Sequence, residues 1–425
     1  MKILIKNAYI LTINGKNYEN GQIFIEDDTI VFVGPEYVGN LVADKIIDAK
    51  NKIVMPGFVN AHAHTGMSIL KNISDSSELQ TWLFDKILPL EKGFTFDSMY
   101  FANMLGIMNY VRNGITTFCD AYYFVPSLVK AVKESGIRAT IGVGFHPDDL
   151  RKIEDIEREY LTYKKESDRI NFVVYSHSIY ANDEAQINAL INLAHKHKLG
   201  VYTHISETLE EVSDCTVKNN DLTPPQLLEQ LGFFDLPATV AHAVHTDKVD
   251  HQIFKEYGVN VVSCPASNLK LGSGIAPLNS MNKLGINIAL GTDSAASNNG
   301  LDMFREMYLA STLQKGTLQE ASVMPAEEVL KMATINGAKA LGLKKVGKLK
   351  EGYKADLIML DIDSPNLTPL NDVESAVVYS AGVQNIVMTM VNGKILYDNG
   401  KYYIGTNEKE ILKNGKEALK TLMDK

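Results

Sequence analysis

The chain has 425 residues, 45% of them hydrophobic, and a formal net charge of −9. That length exceeds one average domain, although a barrel can fill most of it as a single unit with a large core. No Lys/Arg block forms a phosphate-binding stripe and no stretch of 18 residues is wholly apolar, so neither a nucleic-acid partner nor a membrane span is expected.

In chain order, Met1 to Lys6 reads as the start of a strand, not a signal peptide. Lys2 to Ile13, Gly21 to Ile25 and Thr29 to Val33 are short apolar runs, with a turn at Gly15-Lys16-Asn17. A second β-rich stretch lies near the other end, in Ala355 to Leu360 and Val383 to Tyr397, where Asn392-Gly393 between apolar residues signals a hairpin. Two β segments bracketing a long middle predict one small sandwich-like unit built from both chain ends. The middle alternates β-branched runs with helical periodicity, the rhythm of a parallel sheet. Eight strands are expected, ending near His62, Asp120, Gly144, Ser176, His204, His242, Cys264 and Asp293. This predicts an α/β fold with a (β/α)8 TIM-type barrel over residues 56–345; an open doubly wound sheet is the alternative. Residues 1–55 and 346–405 would form the β-sandwich, and 406–425 a terminal helix. Cys119, Cys215 and Cys264 form no CxxC, and free thiols suit a cytoplasmic protein.

A barrel builds its active site at the C-terminal ends of its strands. Six of the ten histidines fall at or just past an expected strand end: His62, His64, His146, His177, His204 and His242, with His245 close behind. In Val54 to His64 an apolar strand ends in His-Ala-His, and residues i and i+2 point to one side of a strand. Both imidazoles can therefore reach one ion. Val201 to Glu207 ends in a third imidazole, His204, with Glu207 three residues on. That glutamate is either a proton carrier beside the substrate or a solvated loop residue. Thr239 to His245 offers His242 as an acid or base, with His245 on the following loop or helix. Ile288 to Ser294 delivers Asp293, and Gly291 permits close backbone approach there. A buried aspartate needs a cation or hydrogen bonds, though Asp is also a good helix cap.

Three neutral imidazoles and one carboxylate suit Zn2+, with Fe2+ or Mn2+ as alternatives. Such an ion lowers the pKa of a bound water towards ~7 and supports hydrolysis at a trigonal carbon. There is no Gly-rich phosphate loop. The Cys-based signature of the other zinc deaminase fold is absent too; Ser263-Cys264-Pro265-Ala266-Ser267-Asn268 comes nearest, without a second cysteine.

The segments PGFVNAHAH, THISE, AHAVH, CPASNLKLGSGIAP and LGTDSAASNN resemble the amidohydrolase superfamily, and within it the 5-methylthioadenosine/S-adenosylhomocysteine deaminases and related chlorohydrolases and guanine deaminases. The resemblance runs through nearly the whole chain, including GKLKEGYKADLIMLD. It implies one metal held by His62, His64, His204 and Asp293, since Ser176-His177 stands where binuclear relatives carry a bridging lysine. It implies catalytic roles for Asp293, Glu207 and His242. Asp293 would accept the water proton, Glu207 would protonate a ring nitrogen, and His242 would orient the attacking water. It further implies that Trp82, the only tryptophan, stacks on the base, that Glu91 binds the ribose hydroxyls and that His177 contacts the substrate. Arg151 falls near the 5′ substituent, although its surroundings, Phe145 to Arg151, depart from the family pattern. Asn298 and Asn299 are loop candidates near the pocket. An amphipathic helix with a core tryptophan is the alternative for Trp82.

The expected activity is hydrolytic deamination of an adenosine-type purine nucleoside (S-adenosylhomocysteine, 5-methylthioadenosine, 5′-deoxyadenosine or adenosine) to the inosine-type product and ammonia. A deaminase or chlorohydrolase acting on guanine, a pterin or a triazine would use the same metal machinery. A non-catalytic barrel with a structural metal is the third reading, against which Glu207 and His242 argue. The resemblance also implies a homo-oligomer, a dimer or tetramer.

Overall fold

Strand β1 (Lys2–Ile10) turns Ile3, Ile5, Ala8 and Ile10 inward, and this near-alternation fixes which face of its sheet is buried. The computed structural model describes residues 1–40, 42–147 and 149–424. Strands β2 (Tyr18–Glu26) and β3 (Thr29–Gly34) follow as an antiparallel meander, while β4 (Lys45–Asp48) and β5 (Lys52–Pro56) lie parallel to β1. After one glycine the chain enters β6 (Phe58–Ala63), the first strand of a second sheet.

That second sheet comprises β6, β7 (Ile115–Asp120), β8 (Arg138–Phe145), β9 (Ile170–Ser176), β10 (Val201–Ile205), β11 (Ala238–His242), β12 (Asn260–Ser263) and β13 (Asn287–Leu290). All eight are parallel and paired in sequence order, as a barrel requires. The strands are buried on both faces, which is why they read as near-continuous apolar runs. The barrel closes between β6 and β13. Asn60 and Thr292 exchange hydrogen bonds of 2.7 and 2.8 Å there, and the Asp293 amide donates to the His62 carbonyl at 2.9 Å. Gly291 sits at this seam so close to β6 that a Cβ would stand 2.9 Å from both the amide nitrogen and the carbonyl oxygen of His62. β13 stops at Leu290, three residues short of the expected end, because the chain turns into the left-handed region at Asp293 (φ 58°).

Beyond the barrel, β14 (Leu357–Asp361) pairs antiparallel with β5, some 300 residues earlier, and β15 (Ile386–Val391), β16 (Lys394–Asp398) and β17 (Lys401–Tyr402) extend the edge. The two chain ends thus form one mixed nine-stranded sheet. Its far edges approach each other. The Asn392-Gly393 turn has positive φ at both residues, as a two-residue hairpin prefers, and a Cβ on Gly393 would lie 1.9 Å from the Asp27 carbonyl in the β2–β3 turn. The inward residues of both edges join one apolar cluster.

A buried ion pair fastens this sheet to the barrel. Arg138, at the start of β8, donates to Asp356 through Nε at 2.7 Å and Nη2 at 3.2 Å, and Asp356 also accepts from the Asn392 amide at 2.8 Å. The C-terminal helix Glu408–Met423 packs Ile411, Gly415, Ala418 and Leu422 inward beside the helix Phe96–Arg112. Among the described residues no helix is long and apolar enough to cross a membrane.

Candidate active site

Five side chains converge at the C-terminal mouth of the barrel. His62 comes from β6, His64 from just beyond it, His204 from β10, His242 from β11, and Asp293 from just beyond β13. His64 Nε2 lies 3.3 Å from His204 Nε2 and 3.5 Å from Asp293 Oδ1, and His62 Nε2 lies 3.7 Å from the same oxygen. A tetrahedral ion with bonds of ~2.0–2.1 Å holds its ligand atoms about 3.3 Å apart, so the spacing fits. His62, His64 and His204 form one triad that can hold an ion, and His62, His242 and Asp293 a second.

The hydrogen bonds behind these rings decide which nitrogen faces inward. His64 Nδ1 lies 2.8 Å from the Ala121 carbonyl and His204 Nδ1 2.8 Å from the His177 carbonyl. A carbonyl only accepts, so each Nδ1 carries the proton and each Nε2 turns a lone pair inward. Two facing lone pairs repel unless a cation lies between them. His62 Nε2 is buried without a partner. Burial pushes the pKa of His62 and of His204 well below the ordinary range, and neighbouring imidazoles add to the effect. His62 and His204 are therefore neutral, as metal ligands must be. The donor set fits one divalent ion of the zinc class.

Asp293 is held in place from behind. Its Oδ2 accepts from Ser267 Oγ at 2.5 Å and Ser297 Oγ at 3.1 Å, and its Oδ1 accepts from the Ser294 amide at 2.7 Å. Burial works to raise its pKa, but His64, His242 and the Ser267 hydroxyl outweigh it and keep the carboxyl below its usual range. His242 has positive φ (72°), which turns its ring towards Glu207. Its Nδ1 lies 2.8 Å from Asn268 Oδ1 and its Nε2 3.6 Å from Glu207 Oε2. Burial lowers its pKa, but Glu207, Asp293 and Asn268 together bring it above the ordinary value. Glu207 itself is pushed up to about 7 by burial, against the pull of His242. The Ser273 hydroxyl also works to lower it.

Trp82, Glu91 and His177 line the same cavity as His64, His204, Glu207, His242 and Asp293. Trp82 is 5% exposed and sits on a π-helical turn, Thr81–Ile87, a wide-wound geometry frequent at functional sites. Its Nε1 has no partner. Glu91 accepts from the Tyr122 hydroxyl, and burial pushes its carboxyl up to about 7 against the opposing hydrogen bonds of Tyr122 and Tyr123. Arg151 lines an adjoining cavity that shares Glu91, Tyr123 and Pro147 with the first, and is engaged by Asp149 at 2.7 Å, Glu159 at 3.2 Å and the Gly144 carbonyl at 2.7 Å. Asp148, in the same stretch, lies outside the described residues. Asn298 and Asn299 are also outside the metal cavity: Asn298 bonds Glu306, and Asn299 bonds Asp75. His245 donates to the Ser273 carbonyl at 2.7 Å, and His146, which also lines the cavity, packs against Tyr123 with ring centroids 4.4 Å apart and planes tilted by 37°.

Several supporting groups escape a reading by strand ends. Ser267 and Asn268 lie in the CPASN segment, which the resemblance includes without giving either residue a role. Glu211 accepts from the amides of Ser206 and Glu207 at 2.9 and 2.8 Å and so fixes the loop that presents Glu207. The pattern Thr208-x-x-Glu211 is a helix-start signature that could have pointed to it. Tyr175 and Tyr180 also line the cavity.

A model of the amidohydrolase family matches residues 53–396. The chain is 40% identical to the 5-methylthioadenosine/S-adenosylhomocysteine deaminase of Acetivibrio thermocellus over the full length of both, and 39% identical to that of Thermoanaerobacter pseudethanolicus over 94% of each. The chain belongs to the amidohydrolase family. Its branch is that of the 5-methylthioadenosine/S-adenosylhomocysteine deaminases. Among solved structures, a zinc-bound adenosine deaminase from Xanthomonas campestris superposes with a TM-score of 0.93 at 26% identity, covering 100% of this chain and 99% of that one. An atrazine chlorohydrolase from Arthrobacter aurescens shares the fold, with a TM-score of 0.88 at 21% identity over 98% and 100% of the two chains. With the ligand cluster, these matches make the protein a metal-binding hydrolase of the deaminase type that takes a single divalent ion.

Proposed function

We propose that the enzyme hydrolytically deaminates an adenosine-type nucleoside to the inosine-type product and ammonia. The observation that carries this reading is the shared cavity: Trp82 and Glu91 line it together with His64, His204, Asp293, Glu207 and His242. A flat aromatic face and a buried carboxylate suit a purine and a vicinal diol. The curated relatives bear the names of deaminases of two such nucleosides.

His62, His64, His204 and Asp293 hold the ion in this proposal. His242 stays outside the ligand set because its Nδ1 is tied to Asn268 and its Nε2 faces Glu207. The ion, when bound, acts as a Lewis acid and makes water nucleophilic near neutral pH. Asp293 takes up the proton of the attacking water. His242 Nε2 orients that water. Glu207, protonated in part at neutral pH by its burial, delivers a proton to the ring nitrogen beside the reacting carbon and takes one back from the newly added hydroxyl as the carbonyl forms, while the proton held by Asp293 passes to the amino group, which leaves as ammonia. Trp82 covers the base, Glu91 accepts from the ribose hydroxyls, and His177 contacts the purine edge.

The test is incubation of the zinc-loaded protein with adenosine, 5′-deoxyadenosine, 5-methylthioadenosine and S-adenosylhomocysteine. Ammonia release and a shift from adenine-type to hypoxanthine-type absorbance are expected. A metal-replete protein that releases ammonia from none of them would sink the proposal, and turnover of guanine or a triazine in their place would move it to another ring.

A further inference from the structure

Asp293 and His242 are each held by a side chain from one short segment. Ser267 donates to Asp293 Oδ2, and Asn268 Oδ1 accepts from His242 Nδ1. The loop after Asp293 adds its own hold, with Ser297 donating to the same Oδ2. Neither segment is regular enough to fix itself: the first is a six-residue helix, Pro265–Lys270, and the second a run of turns from Asp293 to Leu301 with left-handed residues at Asp293, Asn299 and Leu301.

The two segments touch directly, with Ser267 Oγ 2.8 Å from Ser297 Oγ and Lys270 Nζ donating to the Ala296 carbonyl at 2.9 Å and Asn299 Oδ1 at 2.8 Å, and a side chain from a third element bridges them. Glu306, fully buried on the helix Met303–Leu318, accepts from the Ala266 amide through Oε2 at 2.9 Å and from the Asn298 side-chain amide through Oε1 at 2.7 Å. Ala266 directly precedes Ser267 and Asn268. Asn298 directly follows Ser297, and its own Oδ1 accepts from the amides of Gly300 and Leu301 at 3.1 and 3.2 Å. We infer that Glu306 is a positioning residue, whose carboxylate clamps the two segments in the register that sets Asp293 and His242 at the metal. The inference rests on the roles proposed above for those two residues. It assigns Glu306 no contact with substrate or ion.

A complementary swap tests it. In Glu306→Gln one of the two N–H donors faces an amide NH2 in place of an acceptor. In Asn298→Asp two carboxylates face each other. In the double variant the side-chain amide introduced on the helix donates to the carboxylate introduced on the loop, and the oxygen of that amide still accepts from Ala266. Every bond is then restored with donor and acceptor exchanged. The zinc-loaded proteins are compared by kcat and KM on whichever nucleoside the wild type deaminates, and by the rate at which a chelator strips the zinc. Each single variant is expected to lower kcat and speed zinc loss about tenfold, the scale for groups that orient metal ligands, with KM within about twofold. The double variant is expected to recover most of both. A Glu306→Gln protein with a lower Tm but unchanged kcat and zinc loss overturns the inference, as does a double variant no better than the worse single one. If the wild type deaminates no nucleoside, the functional proposal fails while the zinc-loss comparison still reads the clamp.

Discussion

The two ends of the barrel both bury charge, and they treat it in opposite ways. At the start of β8, Arg138 and Asp356 satisfy each other, and the Asn392 amide takes up further capacity of the carboxylate. At the mouth, His62 Nε2 is buried with no hydrogen-bond partner among the described residues, and the lone pairs of His64 and His204 face each other. A buried polar group without a partner costs about 1–3 kcal/mol, more if charged. The closed network fastens two sheets, whereas the open one is completed by what binds there.

The largest effect expected from this contrast is at the mouth. Chelation, or His62→Ala, is expected to lower deamination at least ~10³-fold, the kinetic equivalent of several kcal/mol of Lewis-acid stabilisation. Added zinc is also expected to raise the Tm of the stripped wild type, because the ion binds only the folded chain. A Tm indifferent to zinc would mean that the mouth satisfies itself. Glu207→Gln is next, with kcat reduced ~10²–10⁴-fold and zinc content per chain unchanged by elemental analysis. Loss of zinc with the activity would place Glu207 among the ligands.

At the other end, Arg138→Met strands Asp356 and is expected to cost ~3–5 kcal/mol in urea unfolding while leaving kcat per folded molecule intact. Arg138→Met with Asp356→Leu should recover much of that. A changed kcat in either would tie the two ends together. The smallest effect concerns Glu91. Glu91→Gln is expected to raise KM about tenfold, the lower end for a hydrogen bond to a charged group, with kcat held. Burial lifts the Glu91 pKa to about 7, so its accepting, ionised form is lost as pH falls through that value. KM should rise on the acid side in the wild type, and that limb should vanish in the variant. A KM limb retained by Glu91→Gln would assign it to another group.

Much of this arrangement was legible in the chain. Parallel strands buried on both faces leave near-continuous apolar runs, so their ends, and the histidines at them, stand out. His62 and His64 share a side because a strand has a period of two. The Asn392-Gly393 hairpin was legible because few dipeptides tolerate two left-handed residues. The CPASN segment was not, since Ser267 and Asn268 matter through partners on other strands. Glu306 left no mark at all: on a helix its spacing resembles that of any polar residue, and only the two loops folded over it supply the donors that its carboxylate accepts from. The acidic partners of Arg151, Asp149 and Glu159, were likewise not legible, since Glu159 reaches it from a helix eight residues on.

By itself the sequence determined the period of each element, the eight-fold βα rhythm and the donors at the strand ends, because those follow from local backbone geometry and burial. The tertiary structure alone decided which nitrogen of each imidazole faces inward, which carboxylate is held below its usual range and which are pushed towards 7, and which carboxylates Arg151 pairs with. Each of those depends on a carbonyl, hydroxyl or charge that arrives from a distant part of the chain, and spacing along the sequence carries no record of it.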